Sequence, residues 1–265
     1  MKVPGWMGFS WLRHGFSTRA GGVSTVYGDK GALNLGWTQE DDPAAVAENR
    51  QRLVQAVGGG SLVTIRQVHS AVTQAVREHD GTFDGQLQTA EGKAVLQGDG
   101  LMTNVSGVLL GIQTADCVPV LVVDVRQHVV SALHAGWRGT VARMVQQGIA
   151  AMRTEYGSRP EDLMAAVGPS IGACCYAVGE EVRHAFETEF AHGGELLGMV
   201  NGEIRLDLWE ANRRQLLEAG VESEKITVLR HCSGCAVDDA GQRRYFSHRM
   251  DKGVTGRMMS AVGVV

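Results

Sequence analysis

The chain has 265 residues, 44% hydrophobic and 20% charged, with a net charge of −4. That length can bury a sizeable core in one large domain, and the acidic balance with scattered Lys and Arg excludes an electrostatic binder of nucleic acid or membrane surfaces. No run approaches the roughly 18 apolar residues of a membrane helix, the opening segment is too polar for a signal peptide, and five cysteines, an odd number, fit a reducing compartment; a cytoplasmic protein is expected.

In chain order, Asp41-Asp42-Pro43 opens a helix, with Pro at the first helical position. Val46, Leu53, Val54 and Val57 share one face of it, and Gly58-Gly59-Gly60 stops it. Leu62–Val68 and Val72–Val76 read as strands around His69. Three denser strands follow, Val108–Ile112, Val118–Val123 and Val129–Leu133. The link Asp124–His128 is too short for a parallel crossover, so the pair it joins is expected to be antiparallel. Val141, Met144, Val145, Ile149 and Met152 predict one helix after Arg138. Leu163–Val167 is a short strand, Gly179–Phe190 a helix, and Asp207 caps a helix running to Leu217 with Gly220 beyond its end. Ile226–Leu229 and Arg257–Val265 complete the strands. The pattern predicts a single α/β (α+β) domain over residues 1–265 with mixed sheets. No GxGxxG, GxxxxGK[ST] or HExxH occurs, so dinucleotide, P-loop and zincin readings lack support.

Two motifs carry chemistry. Thr114-Ala115-Asp116-Cys117 and Leu133-His134-Ala135-Gly136-Trp137-Arg138-Gly139 each follow a buried strand, and strand ends are where α/β sheets place their sites. Cys117 and His134 there point to a zinc site or to a Cys–His nucleophile pair. The best third ligand is His69, again after a strand-like run. His79 and His192 sit in polar loops, His128 in a turn and His184 on an amphipathic helix, while His14 and His248 lack the strand-end position. A buried structural Cys beside a hydrogen-bonded His is the plainer alternative. A zinc with three protein ligands activates water and polarises a leaving group; Asp116 is placed to orient a ligand, or is simply structural. Arg138 at a helix start is a candidate anion contact, weighed against a structural ion pair with a nearby acid; Arg19 is another, set against the commonness of Gly-Gly turns with Arg, and Arg249 adds a third cationic position. Cys232-Ser233-Gly234-Cys235 is a lone CxxC, which reads as half a zinc site or a redox pair. With no second CxxC, the adjacent Cys174-Cys175 looks a poor complement.

These motifs together resemble the YfiH family, bacterial proteins long labelled polyphenol oxidase or laccase-domain proteins. The resemblance runs through His14–Ser24, Leu33-Asn34-Leu35-Gly36, Glu48-Asn49-Arg50, Gln67-Val68-His69-Ser70, Thr114–Pro119, His134–Gly139, Gly168–Tyr176 and Phe246–Arg257. It implies one domain of packed mixed sheets with helices outside, a four-layer sandwich. It also implies zinc (copper as a lesser alternative) held by His69, Cys117 and His134. The implied activity is phosphorolysis of adenosine, inosine and methylthioadenosine, with hydrolytic deamination of adenosine. Purine nucleosides and phosphate are then the partners, and Arg19, Arg138, Arg249 and, more weakly, Arg50 the phosphate contacts. Two departures stand out. Ser233 replaces the family's usual Thr, which makes Cys235 look incidental, and His248 replaces an aromatic before Arg249.

Other readings stay open on the residues. A multicopper oxidase needs His-x-His pairs and a His-Cys-His element, and neither occurs. An amidase editing a muramyl peptidoglycan precursor by removing L-Ser fits the same ligands, as does a non-catalytic metal binder. With no heptad or exposed apolar stripe to argue from, the residues leave the oligomeric state open, a monomer being favoured over an oligomer.

Overall fold

A computed structural model of the protein describes residues 1–28, 31–77, 87–89 and 92–265; His79 lies outside them. The elements run β1 (Leu12–Phe16), β2 (Ala20–Ser24), α1 (Pro43–Val57), β3 (Ser61–Thr64), β4 (Thr73–Ala75), β5 (Gly100–Thr103), β6 (Val108–Thr114), β7 (Val118–Asp124) and β8 (Val129–Ala135). They continue α2 (Trp137–Val141), α3 (Met144–Tyr156), β9 (Leu163–Val167), β10 (Ala177–Val178), α4 (Glu180–Glu189), β11 (Leu197–Val200), β12 (Glu203–Leu206), α5 (Leu208–Glu218), β13 (Ile226–Val228) and β14 (Met258–Val264). Among the described residues, no helix is long and apolar enough to cross a membrane.

Two large mixed sheets dominate, ordered β1-β14-β6-β3 and β13-β9-β7-β8-β5-β4, beside a small antiparallel sheet β10-β12-β11. The expected antiparallel pair is β7 with β8, in register Pro119↔His134. Its continuous apolar runs follow from burial on both faces. Leu121 and Val123 of β7 pack on Leu110 and Ile112 of the other sheet, whereas Val120 and Val122 join Met152 of α3 and Leu216 of α5. On the far side, Leu53 and Val57 of α1 cover Leu109, Met259 and Ala261. The layers are therefore helix, sheet, sheet and helix, the four-layer α/β sandwich that the resemblance implied. Each fully buried valine in them contributes about 2 kcal/mol relative to exposure.

The α1 helix starts where the sequence places it, with the Asp42 carboxylate accepting from the Ala44 N–H at 2.9 Å. The single helix expected after Arg138 is instead two. Arg143 takes φ 62° between α2 and α3. Buried Gln215 of α5 satisfies backbone groups at the break: its amide donates to the Thr140 C=O at 2.7 Å and its carbonyl accepts from the Val145 N–H at 3.3 Å. Arg143 is held outward by Glu189 at 2.7 Å and Glu218 at 3.0 Å. A tertiary partner has thus overridden a continuous apolar period.

Candidate metal centre and cleft

The chain passes from the first large sheet to the second twice, from β3 to β4 and from β6 to β7. His69 lies on the first passage and Cys117 on the second. His134, the penultimate residue of β8, meets them from the second sheet. The three donor atoms lie within 4.8 Å of one another, close enough to share one ion. Cys117 and His134 keep their strand-end placement, Cys117 between β6 and β7 and His134 in β8, which pairs with β7 and not with β6. The strand expected over Leu62–Val68 ends at Thr64, so His69 stands in the loop between β3 and β4 and not at a strand end.

Fully buried Asp99, just before β5, organises the group. One of its carboxylate oxygens meets His134 Nδ1 at 2.8 Å and accepts from the His69 N–H at 3.0 Å. The other accepts from the Ser70 N–H at 2.6 Å, the Ser70 hydroxyl at 2.8 Å and the Val68 N–H at 3.3 Å. The Asp99 carbonyl also accepts from the His134 N–H at 2.7 Å. One carboxylate therefore seats the loop that carries His69 and occupies Nδ1 of His134, leaving Nε2 available, the arrangement of a metal-binding imidazole oriented by an acid. His69 itself has φ 60°, a left-handed conformation that its hydrogen bond to Asp99 helps hold.

The electrostatics are those of a coupled thiolate and imidazolium. Burial pushes the Cys117 thiol up, but the His134 charge and hydrogen bonds from His134 and His69 outweigh it and bring the thiol down to about 6. Burial lowers His134, yet the Cys117 thiolate and Asp99 raise it to about 9. Burial raises Asp99, and hydrogen bonds from His134 and Ser70 bring it to about 2. One thiolate and two imidazoles are a soft, borderline donor set that suits a tetrahedral ion with an open fourth position. The residues present fit such an ion.

This group forms part of the wall of a cleft of about 830 Å³. Among the described residues, Arg66, Lys93, Arg138, Arg249 and Arg257 line it against a single acid, Asp116. Asp116, at φ 88°, is already engaged. Its oxygens accept from Ser233 Oγ at 2.6 Å, Ser247 Oγ at 2.7 Å and the Arg249 N–H at 2.7 Å. Its role here is to fix the Ser247–Arg249 turn. The Arg249 guanidinium lies over Tyr176, 5.3 Å from the ring centroid, and that of Arg138 lies 4.2 Å over Trp137.

Arg138 and Arg249 thus share the cleft with the metal-type group; Arg19 and Arg50 are not among its lining residues. Arg19 donates to the Tyr27 carbonyl at 3.0 Å and lies over Phe246. Buried Arg50 donates to the carbonyls of Leu35 at 3.0 Å and Gly92 at 3.2 Å and stacks on Trp37. Its burial, invisible in the Glu-Asn-Arg motif, makes it a packing residue. Sequence reading missed Asp99, whose only local signal is an acid between Gly98 and Gly100, and missed Arg66, Lys93 and Arg257.

The Cys232–Cys235 motif also needs correcting. Cys174 and Cys175 are its complement, since all four sulfur atoms lie within 4.8 Å of one another.

The fold and site define a class: an α/β sandwich of two large sheets with a Cys/His group at the seam between them and a cationic cleft in front. The chain belongs to the family described as multi-copper polyphenol oxidoreductase laccase, matched over residues 13–265, which includes the YfiH proteins. It is 40% identical to a purine nucleoside phosphorylase of Deinococcus radiodurans over 95% of this chain and 88% of that protein. It is 35% identical to adenosine deaminase RL5 from an unknown prokaryotic organism, over 83% and 84% of the two chains. The crystal structure of the hypothetical protein YfiH of Bacillus licheniformis matches with a TM-score of 0.86 at 30% identity, covering 99% of this chain and 95% of that one.

Proposed function

We propose that the chain acts as one catalytic unit, a zinc-dependent purine nucleoside enzyme. Its reactions are phosphorolysis of adenosine, inosine and methylthioadenosine, and hydrolytic deamination of adenosine. The observation that carries this reading is the His69, Cys117 and His134 group opening into a cleft that, among the described residues, is lined by five Lys and Arg side chains and one occupied carboxylate. A zinc ion in that group supplies Lewis acidity and a lowered pKa for water.

The chain's own residues supply the rest. Phosphorolysis needs an anion held against C1′ while the purine departs, and Arg138 and Arg249 are the side chains that hold phosphate through charge-assisted hydrogen bonds. Asp116 fixes the Arg249 backbone and so sets where that guanidinium starts. Burial and the neighbouring Cys117 raise the Tyr176 phenol to about 12, so it keeps its proton at Oη at neutral pH and presents a donor to the cleft. Asp99 keeps His134 oriented and the His69 loop seated. The names of the Deinococcus and RL5 relatives support the two reactions.

The test is incubation with inosine, with and without phosphate. Hypoxanthine release that depends on phosphate supports the proposal; release without phosphate marks a hydrolase and overturns it. Cys117→Ala should lose activity together with one equivalent of zinc, and an inactive variant still fully loaded with zinc contradicts the ligand assignment.

A further inference from the structure

A second group of soft donors lies outside the cleft machinery. Cys174 and Cys175 sit on the loop after β9, Cys232 and Cys235 on the loop after β13, and all are free thiols. Their four sulfur atoms fall within 4.8 Å of one another, with Cys174 Sγ and Cys235 Sγ 3.6 Å apart. A tetrahedral ion with metal–sulfur bonds of about 2.3 Å holds its thiolates about 3.8 Å apart. The spacing suits one ion; in a multi-iron cluster the cysteines bind different irons and stand further apart.

The backbone is arranged around the sulfurs. The Gly172 N–H donates to Cys232 Sγ at 3.3 Å, and the Gly234 and Cys235 N–H groups donate to the same sulfur. Ser170 pairs with Cys232 in a parallel bridge, which brings the two loops into register. Gly234 permits the approach: a Cβ there would lie 2.9 Å from Cys175 Cβ and 3.1 Å from its sulfur. Arg205, itself paired with Glu203 at 2.5 Å, donates to the Cys174 carbonyl at 3.2 Å and so tethers the loop that carries the two adjacent cysteines.

We propose that Cys174, Cys175, Cys232 and Cys235 form a four-thiolate zinc site, separate from His69, Cys117 and His134, that clamps the two loops together. Binding displaces the thiol protons, up to four per ion, and needs no oxidant. The bound site carries net negative charge. The clamp bears on the cleft through its neighbours in sequence: Tyr176 follows Cys175 and lines the cleft, and Ser233 follows Cys232 and holds Asp116. The ion therefore positions cleft residues without touching substrate.

The experiment is metal analysis of the full chain, purified without chelator, beside a Cys174→Ser/Cys235→Ser double variant and Cys117→Ala. Both serines replace exposed thiols. The double variant should lose one equivalent of zinc relative to wild type, and Cys117→Ala should keep that equivalent whatever the fate of the cleft site. Thiol titration of the wild type is the second measurement: Cys174 and Cys235 should resist an aromatic disulfide reagent until a chelator is added. Equal zinc in wild type and double variant, iron in place of zinc, immediate labelling of both exposed thiols, or a Cys174–Cys235 disulfide in the mass spectrum would each overturn the proposal.

Discussion

Gly136 leaves room for the Cys117 sulfur: a Cβ at residue 136 would stand 2.8 Å from Sγ and 3.2 Å from His69 Cδ2. The backbone there, φ −69° and ψ 177°, suits any residue, so the glycine is required for space and not for conformation. Gly136→Ala should therefore push the sulfur or the imidazole out of place. We expect metal affinity to fall about 10–100-fold, the range seen when a ligand's support is disturbed, at a stability cost of about 1–3 kcal/mol. Chelator competition and thermal melts check the two effects separately. Wild-type affinity in the variant would show that the donors do not converge where the geometry puts them.

Asp99→Asn tests the organising carboxylate. The substitution keeps the shape but turns an NH₂ group toward donors that now meet an oxygen, either the Ser70 and Val68 groups or the His134 ring. One buried polar mismatch costs about 1–3 kcal/mol, and the imidazole loses its anionic partner. The expected result is a metal affinity about 10–100-fold weaker, with the folded far-ultraviolet dichroism retained. An unchanged affinity would mean that His134 is oriented by the β8 backbone alone.

How much of this was legible from residues follows from the range of the interactions. β6, β7 and β8 could be read because burial on both faces writes itself as an unbroken apolar run. β1 and β2 could not: Leu12–Phe16 contains a buried His14 and a glycine, and Ala20–Ser24 is Gly-rich and half-exposed. Cys117 and His134 were legible because each lies beside a strand end, and His69 through the apolar run before it, although β3 stops at Thr64. Asp99 was not, since its contacts reach 30 and 35 residues along the chain. Pairing of the four cysteines was hidden for the same reason, as 61 residues separate Cys174 from Cys235.

Arg138 and Arg50 separate a cleft cation from a packing one. Arg138 is exposed on the cleft wall, with its guanidinium over Trp137. Removing a charge-assisted contact of about 1.5–3 kcal/mol predicts that Arg138→Ala raises the KM for phosphate about 10–100-fold while leaving the melting temperature near wild type. Arg50→Ala should do the reverse. It strips buried hydrogen bonds from the Leu35 and Gly92 carbonyls and the stack on Trp37, so the melting temperature should drop by several degrees with the phosphate KM unchanged. Steady-state kinetics on both variants with phosphate varied, alongside melts, decide the matter. A large KM effect from Arg50→Ala alone would move the anion site to the Trp37 side.

His14 gives the fold a pH dependence of its own, remote from the cleft. It is buried, and its Nε2 accepts the Val3 N–H at 3.0 Å, which requires an unprotonated nitrogen there. Burial, then the charges of Lys2 and the chain amino group, lower its pKa to about 4, against about 6.5 in an unfolded chain. Between those two values the unfolded chain takes up a proton that the native protein refuses. The stabilisation is therefore complete above about pH 6.5 and is lost as pH falls toward about 4. In His14→Gln, where residue 14 cannot titrate, this contribution to the pH slope should disappear. The measurement is thermal melting at about pH 7.5 and about pH 5, on either side of the unfolded value. Wild type should lose more of its melting temperature between the two than the variant does. Equal losses would show that His14 does not carry the acid sensitivity of this range; Asp251, whose pKa the Arg243 and Thr255 hydrogen bonds depress against its burial, acts only at lower pH, as pH falls through the ordinary carboxylate range and below.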